Sequence, residues 1–177
     1  MHFRVKWSGS DIYTAFLGTH PLLKDFPSWD ANGHRRLASQ WTIPTLTIES
    51  SRKELPDWSF VMPSVPIVSA RAMEALDGLL SNVEALLVNI ATCADSFYLL
   101  NIPAVNALDL SLSRFEMWKS TPGRLKSITQ AVFCEDVREP IFSLRSFPCL
   151  YCSDAFRSQA YDASLRGFEC TNILEVP

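Results

Sequence analysis

Ser96-Phe-Tyr-Leu-Leu-Asn-Ile-Pro-Ala-Val-Asn-Ala-Leu-Asp-Leu-Ser-Leu-Ser-Arg-Phe-Glu116 sets two apolar, strand-like runs around an Asn-Ile-Pro break and ends in an alternation. The first run, Ser96–Ile102, is too short and too densely apolar for an amphipathic helix, and Pro103 disfavours helix at the residue before it. It predicts a buried strand. Leu108, Leu110 and Leu112 alternate with Asp109, Ser111 and Ser113. That period of two predicts a half-buried strand with one wet face.

The neighbouring segments extend this pattern. Val83–Ile90 predicts a second buried strand, and Thr121-Pro-Gly123 suits a type II turn leading into a strand over Leu125–Phe133. Pro140-Ile-Phe-Ser-Leu144 and Pro148-Cys-Leu-Tyr-Cys152 predict two short strands, and Phe168–Val176 a last one. Ser69 is placed to cap a helix reaching Leu80, with Met73, Leu76, Leu79 and Leu80 on one face. Ser153 caps a second, over 153–165, with Asp154 at the favourable end of the dipole and Gly167 positioned to close it.

Toward the N-terminus, six prolines (Pro21, Pro27, Pro44, Pro56, Pro63 and Pro66) argue against long helices. Trp41–Ile48 predicts a strand in which Pro44 marks an edge or a start. The expected architecture is α+β: a mostly antiparallel or mixed sheet, two main helices at about 69–80 and 153–165, and a β-rich, loop-heavy N-terminal portion. The division is 1–54 for that portion and 55–177 for the α+β part, together forming one compact unit.

Composition limits the function classes. The 177 residues are 47% hydrophobic and 20% charged, with a net charge of −3. Such a chain can bury a sizeable core, and it lacks the basic excess that nucleic-acid binding uses. The most apolar window, Val83–Val105, is interrupted by Glu84, Asn89, Asp95, Asn101 and Pro103, so no membrane span is expected. No leader segment or glycosylation sequon is visible. With five cysteines, an odd number set among apolar neighbours, reduced thiols and a cytoplasmic location are expected.

Candidate chemistry is sparse. Cys149-x-x-Cys152 falls in an apparent strand, where a three-residue spacing puts the thiols on opposite faces, so packing is expected rather than redox or metal chemistry. His2, His20 and His34 have no partner at a spacing that orients Cys-His catalysis. Phosphate loop, nucleophile elbow and His-Glu-x-x-His are all absent. No enzyme activity, cofactor or metal is expected. Aromatics mixed with acids do occur, and the partner-contact candidates are Trp29, Asp30, Asp57 and Trp58.

From about Leu55 onward the chain resembles a bacterial immunity-protein family, formerly a domain of unknown function and named after a myxobacterial representative. The resembling pieces occur in the family's order over about 115 residues: Pro56-Asp-Trp58, Val65-Pro-Ile-Val-Ser-Ala-Arg-Ala72, Val83-Glu-Ala-Leu-Leu-Val88, Phe97-Tyr-Leu-Leu-Asn-Ile102, Asn106-Ala-Leu-Asp-Leu110, Ser113-Arg-Phe115, Pro140-Ile-Phe-Ser-Leu144, Leu150-Tyr-Cys-Ser-Asp-Ala-Phe156 and Leu165-Arg-Gly-Phe168. Cys152 and Asn106 depart from the pattern, where an aliphatic and an acid are usual. The resemblance implies a protein that binds and neutralises a cognate toxin domain encoded by a neighbouring gene, without catalysis. It transfers no catalytic residue. An acidic rim for a basic partner is the expected contact, and self-association stays open. The alternative is a small-molecule-binding or enzymatic domain with a cleft between the N-terminal portion and the C-terminal sheet.

Overall fold

Runs such as Phe97-Tyr-Leu-Leu100 and Leu150-Tyr-Cys152 are apolar at every position, so a strand built from them has two faces to cover. The fold supplies that cover with three apolar layers. The computed structural model describes residues 1–6, 15–16, 29–30, 33–34, 36–48, 55–62, 64–91, 93–134 and 137–172. In chain order the strands are β1 (His2–Val5), β2 (Ala15–Phe16), β3 (Trp29–Asp30), β4 (Gly33–His34), β5 (Thr45–Ile48), β6 (Trp58–Met62) and β7 (Val65–Ser69). After helix α1 (Ala70–Ala75) come β8 (Glu84–Ile90), β9 (Cys93–Asn101), β10 (Ala104–Val105), β11 (Arg114–Met117), β12 (Leu125–Gln130), β13 (Ile141–Leu144) and β14 (Phe147–Ser153). Helix α2 (Asp154–Asp162) and β15 (Cys170–Asn172) complete the described elements.

Two larger sheets carry the structure. One runs β2-β5-β8-β9-β7-β6 and the other β10-β13-β14-β1-β15, while β11-β12 and β3-β4 form two-stranded pairs. Among the described strands all pairings are antiparallel except β5 with β8 and β10 with β13. β1 lies between β14 and β15, and β5 between β2 and β8, so strands from the first 54 residues enter both sheets. Pro44 stands just before β5, and its carbonyl accepts from Asn89 N–H. The segment expected over Phe168–Val176 is described as a strand only at Cys170–Asn172, and residues 173–177 lie outside the described part.

The central layer holds Trp58, Val68, Leu100, Ile102, Ile141, Leu150 and Cys152 from the two sheets, with Leu76 following α1 and Phe156 and Ala160 of α2. Residues of opposite parity point away from it. Ile67, Leu86, Val88, Phe97 and Leu99 form a second cluster, closed by Leu37 and Trp41. Glu84 fixes that cover: its carboxylate accepts from Leu37 N–H and Ala38 N–H at 2.8 Å each and from Asn101 Nδ2 at 2.9 Å. The Trp41 indole donates to Leu87 O at 2.7 Å. Phe142, Leu144 and Tyr151 form the third cluster, roofed by Leu125 and Ile128 of β12.

The expected α+β architecture with two main helices is corrected: the protein is predominantly β, and among the described residues only one helix reaches seven residues. Ser69 caps α1 as expected, accepting from Ala72 N–H. The helix stops at Ala75, and Gly78 at φ +80° turns the chain. Leu76 and Leu80 still reach the core, because successive tight turns deliver side chains at the same three- to four-residue spacing as a helix. Ser153 caps α2, but the helix closes before 165 and without Gly167. Ser164 takes the left-handed position at φ +50°, with Ser164 N–H donating to Tyr161 O and Leu165 N–H to Ala160 O, the paired bonds of a Schellman closure.

The strand expected at Leu108–Leu112 is also corrected. Leu108 makes one bridge to Phe133, and the chain then turns. The Asp109 carboxylate accepts from Ser111 N–H, Ser111 Oγ and Leu112 N–H, and Asp109 O from Ser113 N–H. Short Asp and Ser side chains bond their own backbone more readily than a ladder, and here that outweighs the period-two pattern.

Gly167 has a separate task. At φ +85° it lies so close to β6 that an added Cβ would fall 2.2 Å from the Trp58 carbonyl oxygen. Gly167→Ala is expected to cost about 2–4 kcal/mol from left-handed strain and overlap. Ser164→Gly, which relieves strain at the helix end, should stabilise by about 0.5 kcal/mol. Urea unfolding of the two variants beside the parent checks both signs.

Candidate functional site

The four residues picked out as partner contacts do not form one surface. The backbone of Trp29 and Asp30 makes β3, paired Trp29 with His34 and Asp30 with Gly33, and their side chains lie outside the described part. Trp58 is fully buried, edge-on to Phe60, Phe156 and Phe168. Its Nε1 has no hydrogen-bond partner, so packing is what places it. Asp57 is only 3% exposed. Neither Asp57 nor Trp58 can meet a partner, because their neighbours in the fold already enclose them.

Asp57 is a structural node. Its Oδ1 accepts from Ser69 Oγ at 2.9 Å, and its Oδ2 from Arg71 Nη1 at 2.6 Å and Arg166 N–H at 3.0 Å. Ser69 Oγ at the same time caps α1, and Arg71 Nη2 donates onward to Ala163 O at the end of α2. Burial would raise the Asp57 pKa, yet the Arg166 N–H, the Ser69 hydroxyl and the two guanidinium charges outweigh it and hold the carboxyl below its usual range. Both arginines are more than half exposed, so their charges are screened and the hydrogen bonds matter more.

The cysteines divide by face. Cys152 points into the central layer, and Cys149 packs on the third cluster, where Arg4 Nη2 lies 3.2 Å from its sulfur. Burial pushes the Cys149 thiol up. Cys170, on β15, is different: a hydrogen bond with Cys152 lowers its pKa and raises that of Cys152, and the Tyr161 hydroxyl, 3.6 Å from its sulfur, adds to the lowering. His2 stacks edge-on against Phe133 and Phe142, and burial lowers its pKa. Among the described residues no three His, Cys, Asp or Glu side chains gather to hold a metal ion. No helix among them is long and apolar enough to cross a membrane.

The surface that stands out is the β11–β12 hairpin, which the sequence reading passed over. Of seven large hydrophobic residues exposed among the described ones, four lie in 110–118: Leu110 59%, Leu112 61%, Met117 50% and Trp118 50%. The Asp109 turn presents the first two. Thr121-Pro-Gly123 closes the hairpin as a type II turn, with Gly123 at φ +81° and Arg124 N–H donating to Thr121 O, and Trp118 sits at this closed end, its backbone N–H donating to Arg124 O. A cavity of about 420 Å³ opens between the hairpin and β10, lined by Val105, Leu108, Leu110, Phe115, Met117 and Leu144. Arg114–Lys126 carries four bases against one acid, in a chain whose net charge is −3. Glu116, the acid, is engaged by Lys126 at 2.9 Å, which leaves Arg114, Lys119 and Arg124 exposed around the apolar cluster. The signal in the sequence was Phe115-Glu-Met-Trp-Lys119, an apolar, basic stretch beside a proline-glycine turn.

No family model matches the chain, and no curated protein matches it in sequence.

Asp57→Asn, which keeps the shape and removes the charge, is expected to cost about 2–3 kcal/mol, the range for hydrogen bonds to a charged group. Because the folded pKa of Asp57 lies below its unfolded value, its contribution is complete above about pH 4 and is lost as pH falls through the folded pKa. The parent–variant gap in urea unfolding should therefore narrow below about pH 4. At neutral pH, iodoacetamide should modify Cys170 before Cys149 or Cys152, as read by peptide mass mapping.

Proposed function

We propose that this chain is a non-catalytic, cytoplasmic immunity-type protein that binds a cognate bacterial toxin domain stoichiometrically and blocks it by contact. The observation that carries the proposal is the exposure of Leu110, Met117 and Trp118 at and beside the β11–β12 hairpin, the first two lining one cavity and the last two the depression next to it. Monomeric proteins rarely leave large apolar side chains grouped at one surface, and Trp and Met are enriched where proteins meet. The succession of residues from Leu55 to Phe168 supports the immunity role.

The proposed contact differs from the acidic rim expected of the sequence. Its charges are basic, and its aromatic centre is Trp118 in place of Trp58.

Co-expression with the toxin domain encoded beside this gene should restore growth, and the two chains should elute together at equal stoichiometry. Toxicity that persists together with separate elution rejects the proposal. Trp118→Ala should weaken the complex by about 10- to 100-fold, the effect of losing an aromatic anchor. Its thermal midpoint should stay close to that of the parent, since Trp118 is half exposed.

A further inference from the structure

The hairpin carries more than an apolar patch: its geometry specifies the chemistry of what covers it. β11 pairs with β12, and among the described residues no second strand joins its other edge. The ladder is irregular, shifting register between Arg114 and Phe115 and between Glu116 and Met117. Bulges and basic side chains on an edge strand also serve to discourage aggregation. That role explains the charges but not the company of Leu110, Met117 and Trp118, which raise the risk that charges would lower. The cavity beside them is mainly apolar, with Asn106 and Ser146 also in its lining, has room for a large side chain, and has Phe115 and Met117 of β11 in its wall. Arg114, at the start of β11, and Lys119 and Arg124, beyond its end, place positive charge at both ends of the strand.

We infer that the hairpin receives an acidic, extended segment of a partner protein, which runs along β11, seats one large apolar side chain in the 420 Å³ cavity and sets carboxylates against Arg114, Lys119 and Arg124. This rests on the function proposed above and names the chemistry of the partner's contact. Charge complementarity selects the occupant: a local excess of bases on a chain of net charge −3 attracts an acidic segment while the remaining surface repels it. Nucleic acid suits the site less well. Three exposed cations on an otherwise acidic molecule release few counterions, and a mainly apolar cavity with no cation in its lining offers little to a phosphate.

The test titrates the whole protein with a short acetylated peptide alternating Glu or Asp with Val, Phe and Leu, followed by backbone amide shifts. Saturable binding is expected, with shifts confined to the hairpin and to residues 104–110. Affinity should fall several-fold between about 50 and 300 mM salt, as screening of exposed charges requires. It should fall at least about tenfold in the Lys119→Glu, Arg124→Glu double variant, and also in Met117→Ser, which removes a cavity wall by an independent route. Four outcomes overturn the inference: equal binding of the same peptide with Lys at every acidic position, shifts elsewhere on the molecule, tighter binding of a short oligothymidylate, or a dimer in sedimentation that the double variant dissolves.

Co-elution with the toxin domain separates this inference from the function it rests on. A toxin that elutes equally with parent and double variant keeps the immunity role and rejects the hairpin as its contact. Binding of the acidic peptide without rescue from the toxin keeps the surface chemistry and rejects the role.

Discussion

The buried carboxylate of Asp57 ties together three stretches of chain that are distant in sequence: the start of β6, the cap of α1 and the loop after α2. Each of these brings a polar group that the junction satisfies. Ser69 has a hydroxyl to place, Arg166 has a part-buried N–H, and the end of α2 has carbonyls without helical partners, one of which Arg71 reaches. One side chain resolves the first two directly and the third through Arg71. The approach is tight enough that only glycine fits at 167, directly against the Trp58 carbonyl. The central layer of core is built around this junction, with Trp58 as its largest fully buried side chain.

The three-layer arrangement follows from strands that are apolar on both faces. β9 sends Phe97 and Leu99 one way and Leu100 the other, and β14 divides Leu150 and Cys152 from Tyr151. Neither sheet could be left bare on its outer side, so each recruits a cover. Residues 36–41 cover one, held by the Glu84 carboxylate, and β11–β12 covers the other. The β11–β12 cover is thin, a two-stranded ribbon whose inner face is spent on Leu125 and Ile128 and whose outer parts meet solvent. A binding surface placed there can vary without disturbing the junction at Asp57, because the ribbon's buried side chains, Leu125 and Ile128, pack in the third cluster and not in the central layer.

Electrostatics separates the two regions. Three acidic groups in the scaffold are occupied: Asp57 and Glu84 each hold several donors, and Asp109 folds its own turn. On the hairpin, the one acid is matched by Lys126 and the other bases face outward. A charge that holds the fold is thus saturated by donors, whereas the charges proposed to read a partner are solvated and available, as steering of association requires.

The sequence by itself determined the strands β8, β9, β13 and β14, both serine caps, the type II turn at Thr121–Gly123 and the opposite-face placement of Cys149 and Cys152. Each of these depends on side-chain type or spacing within a few residues. Only the tertiary structure decided the length of α1, the loss of the Leu108–Leu112 strand and the insertion of β1 between β14 and β15, since each turns on competition between local bonds and distant partners. It also decided the roles of Asp57 and Trp58. An acid beside a tryptophan reads as a contact surface until Ser69, Arg71 and Arg166 are seen around the carboxylate, and no local pattern carries those 12- to 109-residue separations. The exposed Trp118 was equally hidden, because burial belongs to the packed molecule and the same Phe-Glu-Met-Trp letters could have lined a core.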